Sequence, residues 1–519
     1  MSRSTLDKIN HLFRSAIPLV VASFLGNIMG MVVRIILAQS FPSAAFGRIM
    51  TGYTVFLFLG TVSMWGLNTA LAYYIPRRKE RQRQQELIAS AVTFGLAVSL
   101  LITVGGYQFK QTIAIKIFDD PKLANYLGIF FFAVPAYALF HTLIGAFRGY
   151  EEFHEKIILK DIGFNGLEVV AVGAFLLIGL GPTRIGGAYI ISTTISFVFA
   201  TYILTRHHPW RQLLAAFHFI RNRLDDCKLL VMYSTPVVFT AIGLWGADYF
   251  DTFLLQSIKG STSVAYYKAV YPMAISLKMF TGMFTFIYLP ATSDLHESKN
   301  IDGVRSLYAL STSTSFVLAT PAALTLIVFS TSLINIFYPQ KYVIAAFALQ
   351  VLAATFFFES VLGVNRASLN AVGRTQSNLY ITLFAFIVNI SLNLLWIPPF
   401  GIVGAALATM VSFVVWNLIT SSWLYYTEGL HPFEPFYLKT ALPTFLSNGV
   451  TVAILSLILD WISISDNALT FSMIIIPIII MGYGNLRILL YVIPDEMKNE
   501  VDVFRFIEEP IGVLRDYSS

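Results

Sequence analysis

The chain has 519 residues, of which 56% are hydrophobic and 12% are charged, and its formal net charge is +6. Soluble domains carry about 25% charged residues, so the composition excludes an ordinary soluble protein and predicts an all-α polytopic membrane protein. The small positive charge lies in loops, which is typical of membrane orientation and not of nucleic-acid binding. The single cysteine excludes an internal disulfide.

Apolar runs long enough to cross a bilayer, about 20 residues each, recur along the whole chain. They predict fourteen transmembrane helices at 17–37, 49–75, 87–107, 123–147, 157–180, 185–204, 229–255, 264–289, 307–329, 343–363, 379–397, 402–425, 441–459 and 469–490. Lys and Arg are concentrated in the loops of one side, so that side is predicted to be cytoplasmic. Both termini then lie in the cytoplasm of a multi-pass protein of the cytoplasmic membrane.

The predicted organisation has two six-helix lobes around a central cavity. The N-terminal lobe is 1–205, the linker 206–228, the C-terminal lobe 229–425, the last two helices 426–490 and the cytoplasmic tail 491–519. In the linker, Trp210, Leu213 and Phe217 share a helical face with arginines elsewhere, which favours an amphipathic helix on the inner leaflet over a solvated loop. Because each lobe has an even number of spans, the two repeats are parallel.

The first span carries an arginine at membrane depth. Ser23, Asn27, Gly30 and Arg34 fall three or four residues apart and therefore share one helical face. A guanidinium at the centre of a helix costs about 2.5–3.5 kcal/mol on insertion scales, so it normally faces protein or a watery cavity. Arg34 is therefore a candidate cavity residue, and the alternative is a structural pair with an acid from another span.

Further basic and acidic residues lie in later spans. Lys268 and Lys278 share a face of the eighth span, where Lys278 is the deeper candidate and Lys268 has snorkelling to the interface as its alternative. Asp248 and Asp251 on the seventh span either couple transport to Na⁺ or H⁺ or neutralise Arg34 and Lys278 when the cavity is empty. Glu168 on the fifth span is a further candidate for protonation.

Two stretches resemble a known family of membrane proteins. Residues 366–415, which include IPPFGIVGAALAT from Ile397, resemble the signature of polysaccharide-transporter flippases, and TVSMWGLNTALAYYIPRRKE from Thr61 is similar to that family's first-half pattern. The chain thus resembles Wzx-like oligosaccharide flippases of the multidrug/oligosaccharidyl-lipid/polysaccharide exporter superfamily. The resemblance implies alternating access and a polyprenyl-linked oligosaccharide substrate.

The resemblance also implies roles for individual residues. Arg34 matches the first-span arginine that holds pyrophosphate in lipid II flippases, but 55–59 of the second span offers no arginine. By analogy with the sodium site of those flippases, Asn389 and Asn393 on the eleventh span are possible partners of the seventh-span acids. Two functions remain open at this point: a flippase for a lipid-linked oligosaccharide, or a multidrug antiporter of the same superfamily.

An enzyme is disfavoured because the outer loops are short and carry no acid–base or metal constellation. We therefore expect no resident cofactor and no metal site, with Na⁺ or H⁺ coupling as the open question. The expected partners are the lipid-linked oligosaccharide and membrane lipids, with no nucleic acid. A glycan polymerase or glycosyltransferases are candidate protein partners.

Overall fold

The computed structural model describes residues 3–207, 220–462 and 467–492. Within these ranges the chain is helical and contains no strand, so the all-α fold class predicted from the sequence is confirmed. The helices are α1 (Arg3–Ser40), α2 (Ser43–Met64), α3 (Leu67–Tyr74), α4 (Arg81–Thr112), α5 (Leu123–Phe131), α6 (Val134–Gly149), α7 (Phe153–Lys156), α8 (Asn165–Leu177), α9 (Gly186–His207), α10 (Ile220–Lys259), α11 (Ser261–Ile275), α12 (Lys278–Glu297), α13 (Ile301–Val328), α14 (Ser330–Phe337), α15 (Ala346–Leu362), α16 (Asn365–Ala371), α17 (Thr375–Glu428), α18 (Pro435–Ile462) and α19 (Asn467–Val492).

Short segments of other helical geometry join some of these helices. Tighter 3-10 turns occupy Ile75–Arg77, Pro182–Ile185 and Gln340–Ala345, and wider π-helical segments occupy Ile113–Ile117 and Ile157–Phe164. The second π segment leads directly into α8, and together they form the fifth predicted span.

The described helices cover all fourteen predicted spans, but the boundaries between helices do not coincide with the boundaries between spans. Among the described residues, nine helices are long and apolar enough to cross a membrane, or up to ten when the bent pair α5 and α6 counts as one span. Helix α17 contains two predicted spans, separated at Gly401, whose φ of 58° lies in the left-handed region that glycine adopts readily. Pro398 and Pro399 precede that break, and proline inside a helix removes a backbone hydrogen bond.

The chain forms two compact units. The first, called here the N-terminal unit, comprises Ala22–Lys268 and Asn393–Ile402. In it α3 and α4 pack against α6, and α10 packs against α2, α3 and α4. Its core contains the fully buried side chains of Leu71, Phe140 and Phe147.

The second unit, called here the C-terminal unit, comprises Met1–Val21, Ala269–Leu392 and Val403–Ser519. Helix α13 lies at its centre and contacts α12, α15, α18 and α19. The serines and threonines from Ser311 to Ser315 are buried there, and small residues of this kind let membrane helices approach closely. Asn485 on α19 accepts a 2.8 Å hydrogen bond from Asn448 on α18 and donates one of 3.2 Å to the carbonyl of Val317, so the last two helices are held to α13.

The predicted boundaries between lobes, linker and tail stay predictions. Residues 208–219 of the linker and 493–519 of the tail lie outside the described residues, and with them Trp210, Leu213 and Phe217 of the amphipathic face.

Candidate functional site

Arg34 lies inside the N-terminal unit with an acidic residue as its electrostatic partner. Its Nη1 donates a 3.0 Å hydrogen bond to the carbonyl of Gly30, one turn earlier on α1, and its guanidinium carbon lies 5.9 Å from the ring centre of Tyr53 on α2. Glu168 on α8 is the carboxylate that interacts with it. Both predicted roles of Arg34, as a cavity residue and as the partner of an acid from another span, stay predictions.

Glu168 is held in place by tyrosines. Its side chain is only 5% exposed and interacts with Tyr189 on α9. The ring of Tyr189 lies 5.0 Å from that of Tyr53, so Arg34, Glu168 and the two tyrosines form one cluster that joins α1, α2, α8 and α9. A buried charge requires a partner and hydrogen bonds, and this cluster supplies both.

A second acid–base pair lies in the same unit. Asp251 on α10 is 4% exposed; its Oδ2 accepts a 2.6 Å hydrogen bond from Tyr267 and its Oδ1 one of 3.1 Å from Thr252. Lys268 on α11 interacts electrostatically with Asp251, and its Nζ lies 4.9 Å from the ring centre of Tyr249. Lys268 is 5% exposed, so its side chain is buried among other side chains. The side chain of Asp248 lies outside the described residues.

Lys278 lies in the C-terminal unit, at the start of α12. Its Nζ is 4.9 Å from the ring centre of Phe413 and 5.6 Å from that of Phe356. Aromatic faces attract a cation through their quadrupole without neutralising it. The amine of Lys278 therefore lies against aromatic faces of α15 and α17.

The two asparagines of the eleventh span are buried at different places. Asn389 donates a 2.9 Å hydrogen bond to Ser412, further along α17, in the C-terminal unit. Asn393 is fully buried and belongs to the N-terminal unit. Their predicted part in a cation site stays a prediction.

A polar network ties α2 to α10 and α11 within the N-terminal unit, at the end that the charge distribution predicts to be extracytoplasmic. Thr51 donates to Gln256 (2.8 Å), Gln256 to Ser261 (3.0 Å), and Ser261 to Asp120 (2.7 Å). Asp120 also accepts a 2.7 Å hydrogen bond from Arg48. Chains of hydrogen bonds reinforce one another at low dielectric, so the network holds the helices together at this end of the unit, called here the closed end.

The ion pair between Arg48 and Asp120 determines the pH range over which this network stabilises the fold. Burial alone raises the pKa of Asp120, but hydrogen bonds from Arg48 and Ser261 and the nearby guanidinium outweigh it, and the pKa lies below its ordinary value. A carboxyl group whose pKa is lowered by folding stabilises the folded protein. This stabilisation is fully present above the pKa that the group has in the unfolded chain, about 3.9, and it is lost as the pH falls through the lower pKa of the folded state.

We expect Asp120→Asn to lower the thermal unfolding midpoint by an amount that is constant from pH 5 to 8 and shrinks below about pH 4. The measurement is thermal unfolding of the purified wild-type protein and of the variant in detergent, from below about pH 4 up to pH 8. Asp302→Asn, which changes an exposed carboxylate of the other unit, is the control. A difference that changed between pH 5 and 8 would contradict the ion-pair explanation.

The sequence indicated the charged residues but not the tyrosines that hold them. Tyr53, Tyr189 and Tyr267 each contact a buried charged side chain. The chain has 25 tyrosines, so composition and spacing mark none of the three. The only available signal is general: a buried tyrosine hydroxyl finds a hydrogen-bond partner.

Taken together, the helical fold and the charged groups at membrane depth define a polytopic membrane protein of the transporter type. A family model described as "Polysaccharide biosynthesis protein" matches residues 12–296, more than half of the chain. The chain belongs to this family. A second model, "Lipid II flippase MurJ", matches residues 246–481.

Relatives and solved structures agree with this assignment. A Haloferax volcanii protein named "Probable low-salt glycan biosynthesis flippase Agl15" is 24% identical over 428 residues, which is 80% of this chain and 83% of that protein. The lipid II flippase MurJ in an inward closed conformation superposes with a TM-score of 0.67 at 16% identity, covering 91% of this chain and 97% of that one. An inward-facing multidrug transporter of the MATE family superposes with a TM-score of 0.65 at 15% identity, covering 80% and 98%. These likenesses identify the fold.

Proposed function

We propose that the protein flips a polyprenyl-(pyro)phosphate-linked oligosaccharide across the cytoplasmic membrane by alternating access. The observation that carries the proposal is Arg34, a guanidinium held at membrane depth beside Glu168 in a chain of the polysaccharide biosynthesis family. A flippase homologue and the match to the lipid II flippase model support it. The activity is transport without covalent chemistry, and both termini lie in the cytoplasm.

The basic residues act as the phosphate-binding groups. Arg34, Lys268 and Lys278 attract the anionic lipid phosphate, and the planar guanidinium of Arg34 suits bidentate binding of its oxygens. Glu168 and Asp251 compete with the substrate for Arg34 and Lys268, so substrate entry exchanges one anion for another. Such an exchange avoids leaving a buried charge uncompensated.

Energy coupling is assigned to the buried acids. Asp251 and Glu168 are candidates to bind Na⁺ or H⁺, with Asp248, Asn389 and Asn393 as further candidates. Glycosyltransferases and a glycan polymerase are the candidate protein partners, since they would supply the substrate and consume the product.

A multidrug antiporter is the second candidate function. It is favoured by the likeness to the MATE transporter and by the two carboxylates buried in the N-terminal unit, because cationic drugs bind to acids. The paired basic residues oppose it, since they offset those acids.

Complementation of a flippase-deficient strain tests the two functions. The wild-type gene is expected to restore surface glycan, and Arg34→Ala and Lys278→Ala are expected to reduce it at least about tenfold, the scale of losing one charge-assisted hydrogen bond. Lys116→Ala, which changes an exposed lysine of the π-helical segment Ile113–Ile117, is the matched control and should have no effect. Membrane levels of every variant are measured beside the glycan.

Failure of the wild type with several unrelated glycans, combined with resistance to cationic dyes, would favour the drug exporter. Full activity of both charge-removed variants would contradict a phosphate-binding role for Arg34 and Lys278.

A further inference from the structure

A cavity of about 320 Å³ lies within the N-terminal unit, and Tyr53 of the Arg34 cluster is part of its lining. It is bounded by α1, α2, α6 and the π-helical segment Ile157–Phe164, which leads into α8. Its lining also includes Asn27, Tyr137, His141, Lys160, Asp161 and Asn165. The volume is typical of a small-molecule pocket and about ten times the share of one liquid water, about 30 Å³, so a single ion does not fill it.

The cavity presents a carboxylate that lacks a hydrogen-bond donor. Oδ2 of Asp161 is buried and has no hydrogen-bond partner. Asn165 is fixed beside it, since its amide donates a 3.0 Å hydrogen bond to the carbonyl of Asp161. A buried acceptor without a partner is costly, so Oδ2 of Asp161 favours a ligand that donates hydrogen bonds.

One wall of the cavity is aromatic. The ring of Tyr137 lies 4.3 Å from that of His141 and 6.1 Å from that of Phe164. A ligand suited to this wall has an apolar face as well as hydroxyl groups. A pyranose has both, because its axial C–H groups form an apolar face and its hydroxyls project from the ring edge.

The backbone geometry brings two charged residues to the cavity together. Lys160 and Asp161 are consecutive, and both line it because they lie in the π-helical segment. Segments of π geometry are rare and occur frequently at functional sites. The wide turn is thus a second observation, independent of the buried acceptor, that indicates a ligand here.

The cavity lies beside the proposed phosphate site. Asn27 lines the cavity, and Arg34 lies seven residues further along the same face of α1. At 1.5 Å per residue the two positions are about 10 Å apart along the helix axis. A sugar attached to a pyrophosphate bound at Arg34 can therefore reach the cavity.

We propose that this cavity binds a pyranose unit of the lipid-linked oligosaccharide, next to the phosphate bound at Arg34. Asp161 accepts hydrogen bonds from the sugar hydroxyls, Asn27 and Asn165 add polar contacts, and Tyr137 packs against the C–H face. The inference rests on the proposed function and adds a subsite that selects the glycan.

Binding of defined short-chain lipids to the full-length protein in nanodiscs tests the subsite. The probes are farnesyl pyrophosphate alone and farnesyl pyrophosphate bearing glucose, N-acetylglucosamine or glucuronic acid. Wild type is expected to bind at least one sugar-bearing probe about tenfold more tightly than the bare lipid, the scale of one or two net hydrogen bonds. Asp161→Asn and Asn27→Ala should lose that gain and keep the affinity for farnesyl pyrophosphate.

Two controls separate the subsite from the proposed function. Arg34→Gln should weaken binding of all four probes, and Asp302→Asn, the same carboxylate-to-amide change on an exposed residue of the other unit, should weaken none. If wild type binds farnesyl pyrophosphate but no sugar improves it, or if Asp161→Asn weakens bare and sugar-bearing probes equally, the sugar subsite is wrong and the flippase remains. If wild type binds none of the four probes, both the proposed function and the sugar subsite are wrong.

Discussion

Replacing Glu168 with glutamine is expected to tighten binding of farnesyl pyrophosphate about tenfold and to slow transport by a similar factor. In the described state Glu168 is the carboxylate that interacts with Arg34, so a phosphate that binds Arg34 must displace it. Removing its charge removes the competing anion. The Glu168→Gln change also removes the carboxylate that replaces the phosphate at Arg34 when the substrate leaves. Release of the substrate therefore becomes slower.

Glutamine is the informative replacement because it keeps the size of the side chain and a carbonyl oxygen facing Tyr189 while removing the charge. Affinity is measured on the protein in nanodiscs and transport in proteoliposomes that carry a fluorescent lipid-linked sugar. Glu80→Gln, on an exposed glutamate of the loop before α4, serves as the matched control. Weaker lipid binding by a well-folded Glu168→Gln variant would show that Glu168 positions Arg34 for the substrate and does not compete with it.

Hydropathy and helical spacing predicted the helices well, because each span must satisfy its own backbone and present an apolar surface. They placed two separate spans at 379–397 and 402–425, and the break at Gly401 lies between them, but they could not predict the left-handed backbone conformation of Gly401 itself. The π geometry of Ile157–Phe164 also left no pattern in the sequence.

The site was predictable only as a set of charged residues. The cost of a charge in the bilayer marks Arg34, Lys268, Asp251 and Glu168 individually. Spacing along one helix says which face a residue occupies but not which helix that face meets. Helical spacing therefore suggested Arg34 and Lys278 as partners of Asp251, and it did not indicate Lys268, which interacts electrostatically with Asp251 in the structure.

Adding one methyl group at Gly47 is expected to open the closed end of the N-terminal unit. A Cβ at this position of α2 would overlap the carbonyl oxygen of Ser261 and press on the backbone nitrogen of Ala265. Both contacts are backbone atoms at the start of α11, so no side chain can rotate away. Overpacking of this kind costs about 1–3 kcal/mol, and separation of α2 from α11 relieves it by breaking the network from Thr51 to Asp120.

Labelling of a single cysteine reports this opening. Thr51 is fully buried and donates to Gln256, so Thr51→Cys in a Cys227→Ser background should react slowly with a membrane-impermeant maleimide. Adding Gly47→Ala is expected to raise the labelling rate about tenfold, which corresponds to about 1.4 kcal/mol, and to reduce transport because the closed end cannot form. Gly105→Ala, on α4 with no atom within 4 Å of the added carbon, is the control and should leave both unchanged. An unchanged labelling rate in a folded Gly47→Ala protein would mean that α2 and α11 tolerate the added carbon without separating, and that the network does not govern access to this end.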